Sequence, residues 1–319
     1  MQATSPLAFE KVHVLAGAHV DMIATFAATP IMATSNPATF AFMAGGGGLN
    51  IASAIAALDV PVRIVAPVGA DANGELLRQT CSSRKIEAEL IESSRHPTGI
   101  YAGLFTPEGE LTVGAADLRQ NDLIDISWVD THFLPAIGLS DLILLTANVP
   151  EEVLLHIVRH SDGARLAAAA ISATKSRRLI PILGFLDLLF LNSEEARAIT
   201  GSSSNDTAEL AALLHAMGLT GAVMTDGANP VRWWEAGEFG CSGVPSPTHL
   251  VNVNGAGDCL AGTVLASLSK GESLANAVAY GIVAASLTVQ VAETVPPVLN
   301  WQTLEASSGI SVAHKQRGN

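Results

Sequence analysis

Cysteine is scarce in this chain. Only Cys81, Cys241 and Cys259 occur among 319 residues, isolated and odd in number. They supply neither a disulfide framework nor a metal-ligand spacing, which fits a reducing cytoplasm. Basic residues are also few: 17 Lys and Arg stand against 30 Asp and Glu, for a net charge of −13. That balance argues against a nucleic-acid backbone or an anionic membrane as the main partner. A single anion can still be held by backbone dipoles. Residues 1–10 lack the basic start and apolar core of a secretory signal. Uninterrupted apolar runs are missing too. The longest candidate, residues 275–291, contains Asn276, Tyr280, Gly281, Ser286 and Gln290, and reads as a buried helix rather than a membrane span.

What is plentiful is apolar: 49% of the chain is hydrophobic and only 15% charged, so a sizeable core is certain. There is no internal repeat and no long linker, so residues 1–319 read as one domain with a small lid. Val12-His13-Val14-Leu15-Ala16-Gly17 is a first buried strand, with Asp21 beyond its end. A carboxylate there is well placed to hold a ligand hydroxyl, or to cap its own loop. Residues 23–42 are two apolar pieces flanking the turn-like Thr34-Ser35-Asn36-Pro37, and residues 98–115 contain a hairpin around Pro107-Glu108-Gly109-Glu110. Together these segments predict a small β lid. From Asp141 onward, strands near 142–146, 166–171 and 186–191 alternate with helices near 151–160, 175–183 and 193–200. Such alternation predicts parallel strands with crossover helices, hence an α/β fold. His156 and His160 are spaced i, i+4 without a third ligand and read as a solvated helix face. Trp233 and Trp234, in a short strand, should point to opposite faces, with one of them in the core.

Two glycine-rich loops open helices. Gly45-Gly46-Gly47-Gly48 precedes Leu49-Asn50-Ile51, where Asn50 can either serve a polyol or cap the helix. Neither the Gly-Lys-Ser/Thr phosphate loop nor a dinucleotide fingerprint is matched. The second loop, Asn252-Val253-Asn254-Gly255-Ala256-Gly257-Asp258, runs into an apolar helix. Small residues at a helix start expose unpaired N–H groups at the positive end of the helix dipole, a natural anion site. Asp258 would repel a phosphate if it only bound one. It makes sense as a base taking a proton from an alcohol that attacks phosphorus. A plain Gly-rich turn, with Asp placed by the helix dipole, explains the same residues equally well.

Four separated pieces resemble one family. Gly45 to Asn50, Asn192-Ser193-Glu194-Glu195, Thr225-Asp226-Gly227 and Gly255-Ala256-Gly257-Asp258 follow the order and separations of the ribokinase-like (PfkB) sugar and nucleoside kinases. The resemblance covers nearly the whole chain. It implies a three-layer α/β/α domain with a mostly parallel central sheet and a β lid. It implies that Gly255, Ala256 and Gly257 form the anion hole for the transferred phosphoryl group and that Asp258 is the base. Asn192, Thr225, Gly227, Asn254 and Gly257 would border ATP, and Glu195 would hold Mg²⁺ through water. Asp21, Gly45, Gly46 and Asn50 would meet acceptor hydroxyls. Asn252 replaces the acidic residue that often helps hold a monovalent cation, so activation by such a cation is not expected. Within the family, Ser35-Asn36-Pro37 and the lid hairpin ending near Asp117 are similar to the pseudouridine-kinase branch. In that branch Ser35 and Asn36 would order the base-binding region, whereas Leu49 departs from a position usually basic. The implied reaction is phosphorylation of a primary hydroxyl, and the branch implies the 5′-hydroxyl of pseudouridine. The alternatives are a kinase for another nucleoside or a free sugar, and a non-catalytic binder of the same fold. Asp258 argues against the binder, because binding alone needs no base. The expected partners are thus small molecules and ATP, with pairing of two copies through the lid sheet as a further expectation.

Overall fold

Residues 8–161 and 163–308 are described by a computed structural model. The polar tail expected from Ala313 lies outside them. The elements run β1 (Val12–Leu15), β2 (His19–Phe26), β3 (Ala38–Gly45), α1 (Gly47–Ala57), β4 (Val62–Gly69), α2 (Ala72–Ser83), β5 (Glu87–Ser93), β6 (Gly99–Phe105) and β7 (Leu111–Asp117). They continue with α3 (Ile126–His132), β8 (Leu142–Thr146), α4 (Glu151–Arg159), β9 (Arg165–Ala169), α5 (Ala173–Ser176), β10 (Leu188–Asn192), α6 (Ser193–Thr200) and α7 (Thr207–Ala216). The last are β11 (Gly221–Asp226), β12 (Asn229–Glu235), β13 (Glu238–Ser242), α8 (Ala256–Ser269), α9 (Leu274–Thr288) and α10 (Trp301–Ser308).

Nine strands form one sheet in the order β13-β12-β11-β10-β9-β8-β1-β4-β5. Pairing is parallel from β5 to β11 and antiparallel for the hairpin strands β12 and β13. Because side chains alternate across a strand, a sheet covered on both faces needs apolar residues at every position. β8 meets that need: Leu142 and Leu144 join one core, while Ile143 and Leu145 join the other. The first core is closed by α1, α2, α8, α9 and α10, and the second by α3, α4, α6 and α7. Trp233 and Trp234 divide between the two cores in the same way. Both are buried, so the expectation that only one would be core falls short.

The lid is a separate four-stranded sheet, β3-β2-β6-β7. Its outer pairs are antiparallel and its central pair, β2 with β6, is parallel, with His19 opposite Gly99. The helix expected near 175–183 is different in kind. One α-turn ends at Ser176 and a 3₁₀ helix, Arg177–Phe185, follows with Pro181 inside it. Proline has no N–H to donate and crowds the preceding turn, so an α-helix does not continue through it. Among the described residues no helix is long and apolar enough to cross a membrane; residues 275–291 are mostly α9, whose Ala277, Val278, Tyr280 and Ala284 are core.

Candidate active site

The parallel strands all end at one edge of the large sheet, and the sequence motifs gather there. Crevices at the carboxyl ends of such strands are where α/β folds hold ligands. Two cavities, of about 380 and 400 Å³, open at this edge and share Val253, Asn254 and Gly255 in their walls. The first also draws on Asn192, Glu195, Thr225, Gly257 and Asp258. The second lies under the lid and is lined by Asp21, Asn50, Tyr101, Phe105, Leu111 and Thr294, among others. The shared loop is therefore the partition between two ligand-sized spaces.

That partition is shaped by Gly255. It adopts φ +78°, the left-handed region, and caps the N-terminus of α8. Beyond it Ala256, Gly257 and Asp258 form the first turn, whose opening N–H groups have no partner within the helix. Asp258 thus projects from the positive end of the α8 dipole. It is half-buried, and Asn50 Nδ2 donates to its Oδ2 at 2.9 Å. Burial pushes its carboxyl up to about 6; the charge of Asp21 adds to the rise and the Asn50 bond opposes it. Asn50 sits on α1, the helix opened by the first glycine loop, and its Oδ1 accepts from Thr294 Oγ1 at 2.9 Å. The two glycine loops, far apart in sequence, meet through this bond.

Asp21 lies on β2, where the lid leaves the domain, 3.2 Å from His19 Nε2. Gly45 faces it so closely that an added Cβ would stand 2.1 Å from Asp21 Oδ2. Gly46, at φ +103°, caps α1. Asp21 and Asn50 both line the second cavity, whereas Gly45 and Gly46 line neither and shape the backbone beside them.

Asn192 and Glu195 form a reciprocal capping box at the start of α6: Asn192 Oδ1 accepts from Glu195 N at 2.9 Å, and Asn192 N donates to Glu195 Oε2 at 2.8 Å. This is a signature of helix starts in general. Here, however, Glu195 is buried and also lines the first cavity. Burial pushes it up to about 7, the Asn192 N–H opposes that rise, and the charges of Asp258 and Glu194 add to it. Among the described residues this buried carboxylate has no cationic partner and feels the charge of a second carboxylate, the electrostatic setting a divalent cation relieves. Oxygen donors suit Mg²⁺, which keeps most of its waters. No cluster of three protein ligands exists among the described residues, so such an ion would be held mainly by phosphates and water. Glu195 fits Mg²⁺ on those terms, through water.

Several expected residues lie elsewhere. Ser35 and Asn36 line neither cavity. Asn36 closes the tip of the β2–β3 connection, accepting from Ile31 N and donating to Ile31 O and Thr34 O. Gly227, at φ +59°, turns the β11–β12 hairpin and is absent from both linings, whereas Thr225 lines the first. Leu49 is fully buried in the core and lines neither cavity. Asn252 ties its own loop to the segment after α9: Oδ1 accepts from Asn254 N and Nδ2 donates to Ala292 O.

Two residues of the site, Thr294 and Ile171, carry no signal in the sequence. Thr294 follows α9 and belongs to no motif. Ile171, just after β9, lines the first cavity in a left-handed conformation, φ +65°. A β-branched residue rarely tolerates that. Its Cδ1 and Asp258 Oδ1 lie 2.5 and 3.3 Å from where a Cβ on Gly47 would stand, so Ile171 is part of the apolar wall beside that carboxylate.

The chain matches the model of the pfkB family carbohydrate kinases over residues 19–301, and it belongs to that family. It is 28% identical to the pseudouridine kinase of Escherichia coli, over 84% of this chain and 87% of the relative. It is 25% identical to the cytidine kinase of Thermococcus kodakarensis, over 75% and 85% of the two chains. A solved carbohydrate kinase from Agrobacterium tumefaciens superposes with a TM-score of 0.84 at 32% identity, covering 94% of this chain and 97% of its own. The ribokinase-like three-layer fold expected from the motifs is therefore the fold of the protein.

Proposed function

We propose that the protein transfers the γ-phosphoryl group of ATP to the primary hydroxyl of a nucleoside or sugar, and that the acceptor is pseudouridine. One observation carries the reading: a helix N-terminus with a bare glycine loop divides two cavities, and a carboxylate raised to about 6 stands at the partition. In this reading the first cavity takes the phosphates and the second the acceptor. The acceptor hydroxyl attacks phosphorus while Asp258 takes its proton. The opening N–H groups of α8 take up charge on the phosphoryl oxygens as the bond to the leaving group loosens. Mg²⁺, when bound near Glu195, supplies further neutralisation of phosphate charge. Closing of the lid over Asp21 and Asn50 would exclude water, which competes as an acceptor.

The preference for pseudouridine rests on the similarity to pseudouridine kinase and on the chemistry of its base. Carbon-linked attachment exposes a ring N–H that uridine lacks. A site built to accept that proton rejects the analogue, because a buried acceptor would be left unpaired. Asp21 and Asn50 can serve any ribose-like acceptor and do not supply the preference. Tyr101 and Asn254 are polar groups of the acceptor cavity left to meet the base. The experiment is kcat/KM for pseudouridine, uridine, cytidine, adenosine and ribose under one set of conditions. Pseudouridine is expected to lead. A higher value for another member overturns the substrate assignment and leaves the kinase assignment standing.

Asn252 supports a second expectation. A neutral amide attracts a cation less than a carboxylate does, and both ends of this one are already bonded. Activity at matched ionic strength should change little between potassium, sodium and a bulky organic cation. A large saturable potassium requirement would speak against it.

A further inference from the structure

We infer that Thr294 is a positioning residue for phosphoryl transfer: its hydroxyl fixes the orientation of the Asn50 amide, and through that amide the orientation of Asp258. The inference rests on Asp258 acting as the base. Asn50 is only 6% exposed, so neither end of its amide can lose its partner cheaply. The two ends have nearly the same shape, and a half-turn of the side chain exchanges them. What selects one orientation is the pair of neighbours. Thr294 Oγ1 donates to Oδ1, which leaves Nδ2 facing Asp258 Oδ2, each at 2.9 Å. A flipped amide would set an acceptor oxygen against an ionised carboxylate.

A fixed amide suits the reaction. As the acceptor oxygen bonds to phosphorus, its O–H bond breaks and the proton goes to the Asp258 carboxylate. The electron pair of the broken P–O bond leaves with ADP. When Asp258 is protonated, the Thr294 bond still holds Oδ1, so Nδ2 stays aimed at the carboxyl that must be ionised again for the next turnover. An apolar residue at 294 would leave the amide orientation to Asp258 alone. Thr294 is also the residue packed on the anion loop: a Cβ on Gly255 would stand 2.6 Å from its Cβ. One side chain therefore borders the helix start, the acceptor cavity and the amide that holds Asp258. The titratable groups facing Asp258 are Asp21 from β2, Glu195 from α6 and its neighbour Cys259 on α8.

The test compares wild type, T294V, T294S and D258N by kcat/KM against pH. The substrates are ATP and whichever of pseudouridine, uridine, cytidine, adenosine or ribose gives the highest turnover. T294V keeps the shape and loses the hydroxyl. It should lose about 2–10-fold in kcat/KM near neutral pH, the worth of one hydrogen bond. Its acidic limb should move to higher pH, because the bond that favours ionised Asp258 is no longer fixed. T294S keeps the donor and should follow the wild-type limb. T294A serves in place of T294V if melting shows that the valine variant does not fold, with the same shift expected. A hydroxyl-free variant with wild-type kcat/KM and an unmoved limb overturns the inference. So does an equal loss in T294S and T294V with no limb shift, which would mean packing alone. D258N separates the two readings: if it retains turnover, the assignment of the base fails, whatever Thr294 does.

Discussion

Replacing Asp258 with Asn should lower kcat by about 10²–10⁴-fold, the usual worth of a general base, while nucleotide affinity changes little. The amide has the size of the carboxylate and can keep a hydrogen bond to Asn50, so the fold and the α8 dipole persist. Only the capacity to take a proton is lost. The pH profile gives the same claim a second reading. A base works ionised, and burial holds Asp258 at about 6. Wild-type kcat/KM should therefore be flat above that pH and fall about tenfold per unit below it. Burial, and after it the charge of Asp21, keep the limb above the ordinary carboxylate range, since each disfavours the charged form. In D258N the limb at about pH 6 should vanish along with the turnover. A variant retaining most of its kcat, or a wild-type profile flat to pH 5, would remove Asp258 from the mechanism.

The second large effect is expected at Gly255. Its φ of +78° is a conformation that alanine enters at a cost of about 1–2 kcal/mol. Space is the larger obstacle. The new Cβ would stand 2.6 Å from Thr294 Cβ and 3.0 Å from Thr294 Cα. Backbone lies on that side, so the loop itself must move. Moving it displaces the first turn of α8 and with it the donors proposed to meet the phosphoryl group. Loss of one such donor typically costs about 10²–10³-fold in kcat. G255A should therefore melt at lower temperature than wild type and lose activity on that scale. G257A is the informative companion. A Cβ at Gly257 meets nothing within 4 Å, so this variant should melt like wild type. If it too loses turnover, the bare loop serves ligand approach rather than folding. Wild-type activity in G255A would show that the partition has no part in the chemistry.

Fold and site were unequally legible in the sequence. The double-faced sheet could be read because burial on both sides leaves strands such as 142–146 apolar throughout, a pattern that needs no partner to be recognised. The Gly255 to Asp258 loop could be read because only small residues permit close approach, and a carboxylate there contradicts simple anion binding. The lid strands were visible as apolar pieces around turns. Their parallel central pairing was not, since β2 and β6 are joined through residues that carry no register information. Ile171 was invisible because nothing about an isoleucine announces a left-handed backbone; its surroundings impose it. Thr294 lies in a loop and gains its meaning from Asn50, remote in sequence. Asn36 is the opposite case: it satisfies its own turn, and such an asparagine looks the same in sequence as one that meets a ligand. Leu49 was similar: helical phase turns it into the core, whereas its place beside a glycine loop suggested the cavity.

The central claim is that two cavities divided by the Gly255 loop bring ATP and a hydroxyl acceptor together over Asp258. Its most direct test is ADP formation from ATP and Mg²⁺ by the whole protein across the nucleoside and sugar panel, with the phosphorylated position of the product identified. The account predicts ADP formation that depends on the acceptor, matches it one for one, places phosphate on the primary hydroxyl and disappears in D258N. ADP formation indifferent to every acceptor, or none with any of them, would contradict it.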